Sequence, residues 1–395
     1  EMNMRKAVLE TFRKSGEGKV VWQPRIDYWY YGNRLRNKVP EGYRDESILE
    51  FFYHNIDAYE EGQVSEQYRD MTMLEVYDDL GASPRYPQET LGVEILKETR
   101  LPNSKANDQV SVESHYDSRT EEITTIYHTP RGNLKKVTSG YVKEYPIKKL
   151  EDIEIMKYVI RNTGFEFDSA AFKIADETFG ERGPVQTFSV RSPFQSLIIE
   201  HMGFKNTFLT LRKYPQKVGE LLEVMDQMHD RLWDMLLDSP IEIFNFGENI
   251  DQHFDPPPVF EEYLLPYYEK RIKAIHKRGK FCHIHVDGSF KQLVPVLRET
   301  NFDGLEALTP LPQGDVDLEY MKEALGNKVL LDGIPAILFI PDYSYDYLQN
   351  FTDKILKTFA PNLILGISDE LPPDGDIEKV KFVSDLVNRF NSRQG

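Results

Sequence analysis

The chain has 395 residues, 40% hydrophobic and 29% charged, with one cysteine. Sixty-five acidic against 48 basic residues leave a formal charge of −17, which repels phosphate backbones and anionic lipid surfaces and excludes nucleic acid and membrane as expected partners. A single thiol, Cys282, makes no internal disulfide, and no Cys-x-x-Cys pair exists for a thiolate metal site. No run approaches the roughly 20 apolar residues of a spanning helix, and residues 1–8 are charged where a secretory leader needs an apolar stretch. The expectation is a soluble, cytoplasmic chain.

Short apolar runs alternate with longer amphipathic stretches, the pattern of a parallel sheet wrapped by helices. Strands are expected at 20–23, 73–77, 185–190, 241–246, 281–286, 304–308, 328–331 and 363–367. Helices are expected at 213–237, 260–278, 290–299, 318–325, 345–359 and 377–390, with Pro266 bending the second. Residues 109–142 break the rhythm with alternating β-rich sequence and a turn signal at Pro130-Arg-Gly-Asn. The expected architecture is α/β: a (β/α)8 TIM barrel over residues 1–395 as one domain, with an antiparallel hairpin excursion and an N-terminal helical lead-in. No Gly-x-Gly-x-x-Gly follows a strand and no Walker A sequence occurs, so a dinucleotide or P-loop site has no support.

In such a barrel the chemistry sits at the C-terminal ends of the strands. Those ends are polar here: Arg25 and Asp27 after the first strand, Arg191 after the third, Glu248, Asp251 and His253 after the fourth, Asp332 after the seventh and Asp369 after the eighth. On the fifth, His283 and His285 stand two apart and face the same side, while Cys282 faces the helix layer as a small buried hydrophobe. Two imidazoles with carboxylates from Glu248 and Asp369 form a donor set for a divalent metal. The same pair also occurs as hydrogen-bonded core groups or as an acid and base; four charged strand ends converging on one mouth favour the cation, because burying them without one costs several kcal/mol. His54, His115, His128, His201, His229 and His276 lack a matching carboxylate cluster and read as surface or satisfied histidines. The run Tyr28-Trp29-Tyr30-Tyr31 reads equally as a wall for a flat substrate or as ordinary packing.

Several segments resemble the uroporphyrinogen decarboxylase superfamily, and within it the corrinoid-dependent methyltransferase branch. They are Phe260-Glu-Glu-Tyr-Leu-Leu-Pro266-Tyr-Tyr, His276-x-x-Gly279-Lys, His283-x-His285-x-x-Gly288, Gly366-Ile-Ser-Asp369-x-x-x-Pro373-x-x-x-Ile377-Glu378, Pro24-Arg-Ile-Asp-Tyr-Trp29, and Arg191-Ser-Pro193-Phe194 through Tyr214-Pro215. The likeness spans about Val20 to Val387 and is weakest across the hairpin excursion. It implies a zinc-dependent methyltransferase in which His283 keeps a histidine ligand while His285 and Asp369 replace two cysteines. Without thiolates the zinc keeps more positive charge, which suits an oxygen or nitrogen leaving group and points to a methyl ether such as a methoxylated aromatic. The methyl acceptor would be the cobalt of a corrinoid on a partner protein, since no Asp-x-His-x-x-Gly sequence is present. Glu248 would be a fourth ligand or an acid, and Tyr28, Tyr30 or Asp251 a proton donor. Arg25, Asp27, Trp29, Arg191, His253 and Asp332 would line the substrate site. Two alternatives stand beside this: a metal-independent decarboxylase using Arg25 and Arg191 on substrate carboxylates, although the Arg-Gln-Ala-Gly-Arg run is absent, and a metal-dependent hydrolase on the same barrel.

Overall fold

Strands cut from the apolar segments curl around one axis in the computed structural model, which describes residues 2–16, 18–32, 66–101 and 109–393. In chain order they are β1 (Val21–Trp22), β2 (Leu96–Arg100), β3 (Ser111–Asp117), β4 (Glu122–Thr129), β5 (Gly132–Ser139), β6 (Tyr141–Glu144) and β7 (Thr163–Phe167). Then follow β8 (Gln186–Ser189), β9 (Ile243–Ile250), β10 (Phe281–Val286), β11 (Gly304–Glu306), β12 (Val329–Pro335) and β13 (Leu363–Ser368). Seven of these, in the order β1-β13-β12-β11-β10-β9-β8, form the parallel sheet. Its consecutive parallel neighbours from β8 onward are joined by helices, as right-handed crossovers require.

One expected strand is a helix. Residues 73–77 belong to the helix Met73–Leu80, whose N-terminus is closed by a reciprocal capping box between Thr72 and Glu75. Met73, Val76, Tyr77 and Leu80 are its buried residues, a spacing of three and four that serves one helix face and no strand face. The eighth position in the ring is taken instead by the buried stretch 82–86. Ser83 N–H donates to the Trp22 carbonyl at 2.9 Å and Gln186 N–H to the Arg85 carbonyl at 3.3 Å, so this segment bridges β1 and β8.

The helix Met4–Arg13 plugs the bottom of the ring. Ala7, Val8 and Phe12 pack there on Val21, Ile243, Val329, Leu331 and Ile364. The excursion expected at 109–142 is a four-stranded antiparallel meander, β3-β4-β5-β6, with its middle turn between Thr129 and Gly132. Val110 and Leu134 bind the meander to a second core with Ile153 and Met156 of the helix Leu150–Arg161 and Leu221 and Met225 of the helix Pro215–Asp238. Among the described residues no helix is long and apolar enough to cross a membrane.

Candidate functional site

The register of the parallel sheet sets a column of polar side chains along the barrel axis. His283 lies opposite Asn245 and Gly304, and His285 opposite Glu306. Glu306 is fully buried and is satisfied from every side. It takes hydrogen bonds from Arg85 (2.7 Å), Tyr86 Oη (2.5 Å) and Asn245 (2.6 Å), and its Oε2 is 2.8 Å from His285 Nδ1. Arg85 also pairs with Asp332 at 2.8 Å and donates to Gln23 at 2.9 Å. Leu331 lies in the floor cluster and Leu330 on the helix side, so strict alternation would send Asp332 outward. A left-handed φ of 80° turns its carboxylate to Arg85 instead. Gly366 makes room: a Cβ there would stand 2.2 Å from Asp332 Oδ1.

The two histidines part company within this column. Residues two apart on a strand share a face but are displaced along it by roughly 6.6 Å. His283 is the lower, its Nε2 2.9 Å from Gln186 Oε1 and its ring stacked on Phe12 at 6.2 Å between centroids. Burial pushes its pKa down to about 4, so it is neutral. His285 is the upper. Its Nδ1 is held by Glu306 and its Nε2 points to Asp369 Oδ2 at 3.8 Å. Burial pulls its pKa down, but Asp369 and Glu306 outweigh that and raise it to about 9.

Around Asp369 lies an acidic cluster. Arg25 Nη1 reaches Asp369 at 2.8 Å, Nη2 reaches Glu370 at 2.5 Å, and Nε reaches Glu89 at 3.0 Å. Asp27 completes a set with Glu89 and Glu370 whose carboxylate oxygens all fall within 4.8 Å of one another. Both oxygens of Asp27 and one of Glu370 are buried without a hydrogen-bond donor. Burial raises the pKa of Asp27 and Glu370 and lifts Glu89 to about 8, against the pull of Arg25. Four carboxylates thus surround one guanidinium and one imidazolium. The excess of about two negative charges can be met by protons or by a divalent cation. The residues fit such a cation: a free Nε2 on a histidine backed by a carboxylate is the usual arrangement of a metal-binding imidazole, and unpartnered buried oxygens stand beside it.

The donors differ from those expected. His283 is turned to Gln186 a layer below. Glu248 faces the helix layer, where Ser192 N–H (2.6 Å), Ser192 Oγ (2.5 Å) and Tyr268 Oη (2.7 Å) occupy both oxygens. Among the described residues, the set His283, His285, Asp369 and Glu248 does not converge; His285 and Asp369 remain as neighbours. The other close group, His276, Cys282 and Asp303, is outside the ring: Asp303 caps Cys282 N–H at 2.8 Å and meets His276 at 3.0 Å.

A cavity of about 750 Å3 opens over the cluster, lined by Arg25, Tyr28, Glu89, Arg191, His285, Asp369 and Glu370 among others. Of the aromatic run, which forms the helix Asp27–Gly32, only Tyr28 reaches it. Trp29 is buried edge-on against Tyr68 (6.0 Å), and Tyr30 gives its hydroxyl to the Met71 carbonyl at 3.0 Å. Asp332 is sealed in the axis with Arg85. Asp251 is occupied in holding the loop around Ser289 and His253, and the His253 side chain is 68% exposed and outside the cavity. His201, read from sequence as surface or satisfied, lines the cavity with a buried Nδ1 that has no partner. His54 lies outside the described residues.

Glu306, Arg85 and Glu89 were missed by sequence reasoning. Glu306 did signal itself, as a carboxylate inside the apolar run Gly304-Leu-Glu-Ala-Leu. Arg85 and Glu89 gave no such signal, because the ring segment that carries Arg85 and the short helix Pro87–Leu91 that carries Glu89 have neither strand periodicity nor a flanking apolar run.

A family model described as uroporphyrinogen decarboxylase (URO-D) matches residues 134–390. Among solved structures, a methyltransferase from Methanosarcina mazei is similar with a TM-score of 0.56 and 13% identity, covering 99% of both chains. A B12-independent methionine synthase from Shewanella sp. W3-18-1 gives 0.42 at 13% identity, covering 80% of this chain and 86% of that one. At these identities the first likeness is one of fold, and the second is too distant to carry argument. No curated protein matches the sequence.

Proposed function

The chain belongs to the uroporphyrinogen decarboxylase family, and from that premise we propose that its mouth cluster moves a methyl group from a small methylated substrate, a methyl ether, to the cobalt of a corrinoid carried by a separate protein. One observation carries the reading: His285, its Nδ1 fixed by Glu306, aims Nε2 at Asp369 beside a buried Glu370 oxygen that lacks a partner, all at one end of a substrate-sized cavity. A zinc ion held by His285 and Asp369, with the unpartnered oxygen of Glu370, would supply Lewis acidity toward the heteroatom bearing the methyl group.

The chain's own residues meet the other requirements of ether cleavage. An alkoxide or phenoxide leaves poorly unless a proton reaches its oxygen. Glu89, whose pKa burial raises to about 8, lines the cavity and can hold that proton. Arg25 fixes the carboxylates around it and so orients the site. Phe165, Met225 and Met228 give the cavity an apolar wall that excludes water and suits the body of an aromatic ether.

A decarboxylase reading is weakened at its main anchor, because the Arg25 guanidinium is already neutralised by three carboxylates, which would repel a substrate acid. The test is metal analysis together with methyl transfer to cob(I)alamin over methoxylated, methylamine and methylthiol compounds. One bound zinc and transfer from an ether are expected. Substrate turnover with no corrinoid present would make the protein a hydrolase, and full transfer by metal-free protein would sink the zinc assignment.

A further inference from the structure

The cavity over His285 extends into the second core, and the transfer chemistry leaves the polar groups there unused. Met156 of the helix Leu150–Arg161, Phe165 of β7, and Met225 and Met228 of the helix Pro215–Asp238 line this part; all four belong to that core or pack on it. Two further histidines, His201 and His229, line the cavity with them. Away from the mouth cluster, the charged side chains lining the cavity are Glu98, Lys136, Arg191 and Glu200, two of each sign. This end therefore calls for no ionic ligand.

The neighbours of His229, which is 3% exposed, fix its tautomer. Its Nδ1 is 2.8 Å from Tyr267 Oη, and that oxygen also accepts from Trp233 Nε1 at 3.2 Å. An indole N–H only donates, so the phenol proton has the imidazole Nδ1 as its acceptor. The ring's own proton then sits on Nε2, which has no partner among the described residues. His201 closes a π turn, Leu197–His201, in which Met202 N–H reaches the Leu197 carbonyl at 2.8 Å. Neither of its ring nitrogens has a hydrogen-bond partner among the described residues, and Nδ1 is sealed from solvent. Burial holds His201 at about 4 and His229 at about 3, so both rings are neutral. A neutral imidazole offers one donor and one acceptor. His229 thus brings a donor to the cavity and His201 a donor and an acceptor, in apolar surroundings where an unmade hydrogen bond is costly.

We infer that His201 and His229 form a hydroxyl subsite, and that the methyl donor is an uncharged aromatic ether carrying a hydroxyl at the end remote from its methoxyl group. A hydroxyl can accept from His229 Nε2–H and give its own proton to His201, whereas a methoxyl or a carbonyl can only accept. The inference rests on the transfer reading for the words methyl donor, while the subsite itself stands on the cavity and its unpartnered nitrogens. Met156, Phe165, Met225 and Met228 give the aromatic body its place between the two polar ends. His201 and His229 are thereby specificity-determining residues, remote from the atoms that react.

The experiment is calorimetric titration of the full chain, without corrinoid, using 2-, 3- and 4-methoxyphenol and anisole. The 3- or the 4-isomer is expected to bind at least about tenfold more tightly than anisole, the worth of two neutral hydrogen bonds. His229→Asn keeps an amide near the place of Nδ1 for Tyr267 and removes the donor at Nε2, so it should bring that ratio toward one. His229→Gln, whose amide reaches the place of Nε2, should restore part of it. His201→Leu should lower the same ratio, with circular dichroism checking that each variant is folded. Equal affinity for the phenols and anisole, a preference confined to the 2-isomer, no binding of any probe, or an undiminished preference in either folded His229→Asn or His201→Leu would each overturn the subsite. Methyl transfer is assayed separately. A methoxyphenol bound through His229 that gives no methyl to cob(I)alamin leaves the subsite standing and removes the transfer reading; transfer from anisole with no preference for the phenols does the reverse.

Discussion

The floor and the mouth of this barrel each hold one imidazole from β10. At the floor His283 lies against Phe12 and Gln186, and at the mouth His285 lies between Glu306 and Asp369. The rings share a strand, a face and a residue type, yet burial makes one neutral and two carboxylates make the other cationic or a metal ligand. Their chemistry is set by what the rest of the ring brings to each level. The N-terminal helix delivers an aromatic plug to the lower level, and β11 with the end of β13 delivers acids to the upper.

Exchanging or removing the partners at either level tests that contrast. The largest effect is expected at the mouth: His285→Ala should lose bound zinc and lower kcat/KM for transfer to cob(I)alamin at least about 1,000-fold, about 4 kcal/mol. His283→Ala should keep its metal; the opposite outcome for the two variants would restore His283 as a ligand. At the floor, Phe12→Ala should remove about 3–4 kcal/mol of stability in urea unfolding and leave metal stoichiometry intact. Glu306→Gln lies between the levels. Losing the carboxylate behind His285 should weaken zinc binding by about 10–100-fold in a chelator competition, even if the protein stays folded.

The pH dependence of the metal-free protein is the most gradual effect, spread over several pH units, and in it the two rings act in opposite directions. With His283 held at about 4, the unfolded chain binds a proton that the folded chain refuses between pH 6.5 and 4. Stability should therefore fall on acidification by up to about 1.4 kcal/mol per unit from this group. His285, raised to about 9, contributes fully below pH 6.5 and loses its contribution as pH rises through 9. Urea midpoints against pH should show a flatter acid limb for His283→Asn and a flatter alkaline limb for His285→Asn; parallel curves would dissolve the distinction.

Much of the barrel was legible because its strands are short apolar runs between helices. Residues 281–286 and the helices Leu318–Leu325 and Tyr345–Phe359 fall where periodicity puts them. Residues 73–77 misled because Val76 and Tyr77 favour strands, while the Thr72–Glu75 capping box and the next hydrophobic at Leu80 decide for helix. The acids of the mouth were half legible. Asp369 follows a clear strand, whereas Glu89 rides on the short helix Pro87–Leu91 beyond an irregular ring segment.

The sequence by itself determined a ring of parallel strands, the inward pairing of His283 with His285, and the family to which the chain belongs. Alternation and periodicity are local properties that each segment carries alone. Which imidazole meets which carboxylate was decided only by tertiary structure. Register, the plug at the floor and the left-handed turn at Asp332 bring together residues as far as 344 positions from one another, and farther, as Arg25 and Asp369 show. No local pattern encodes a meeting at that separation, because its energy exists only once the ring has closed.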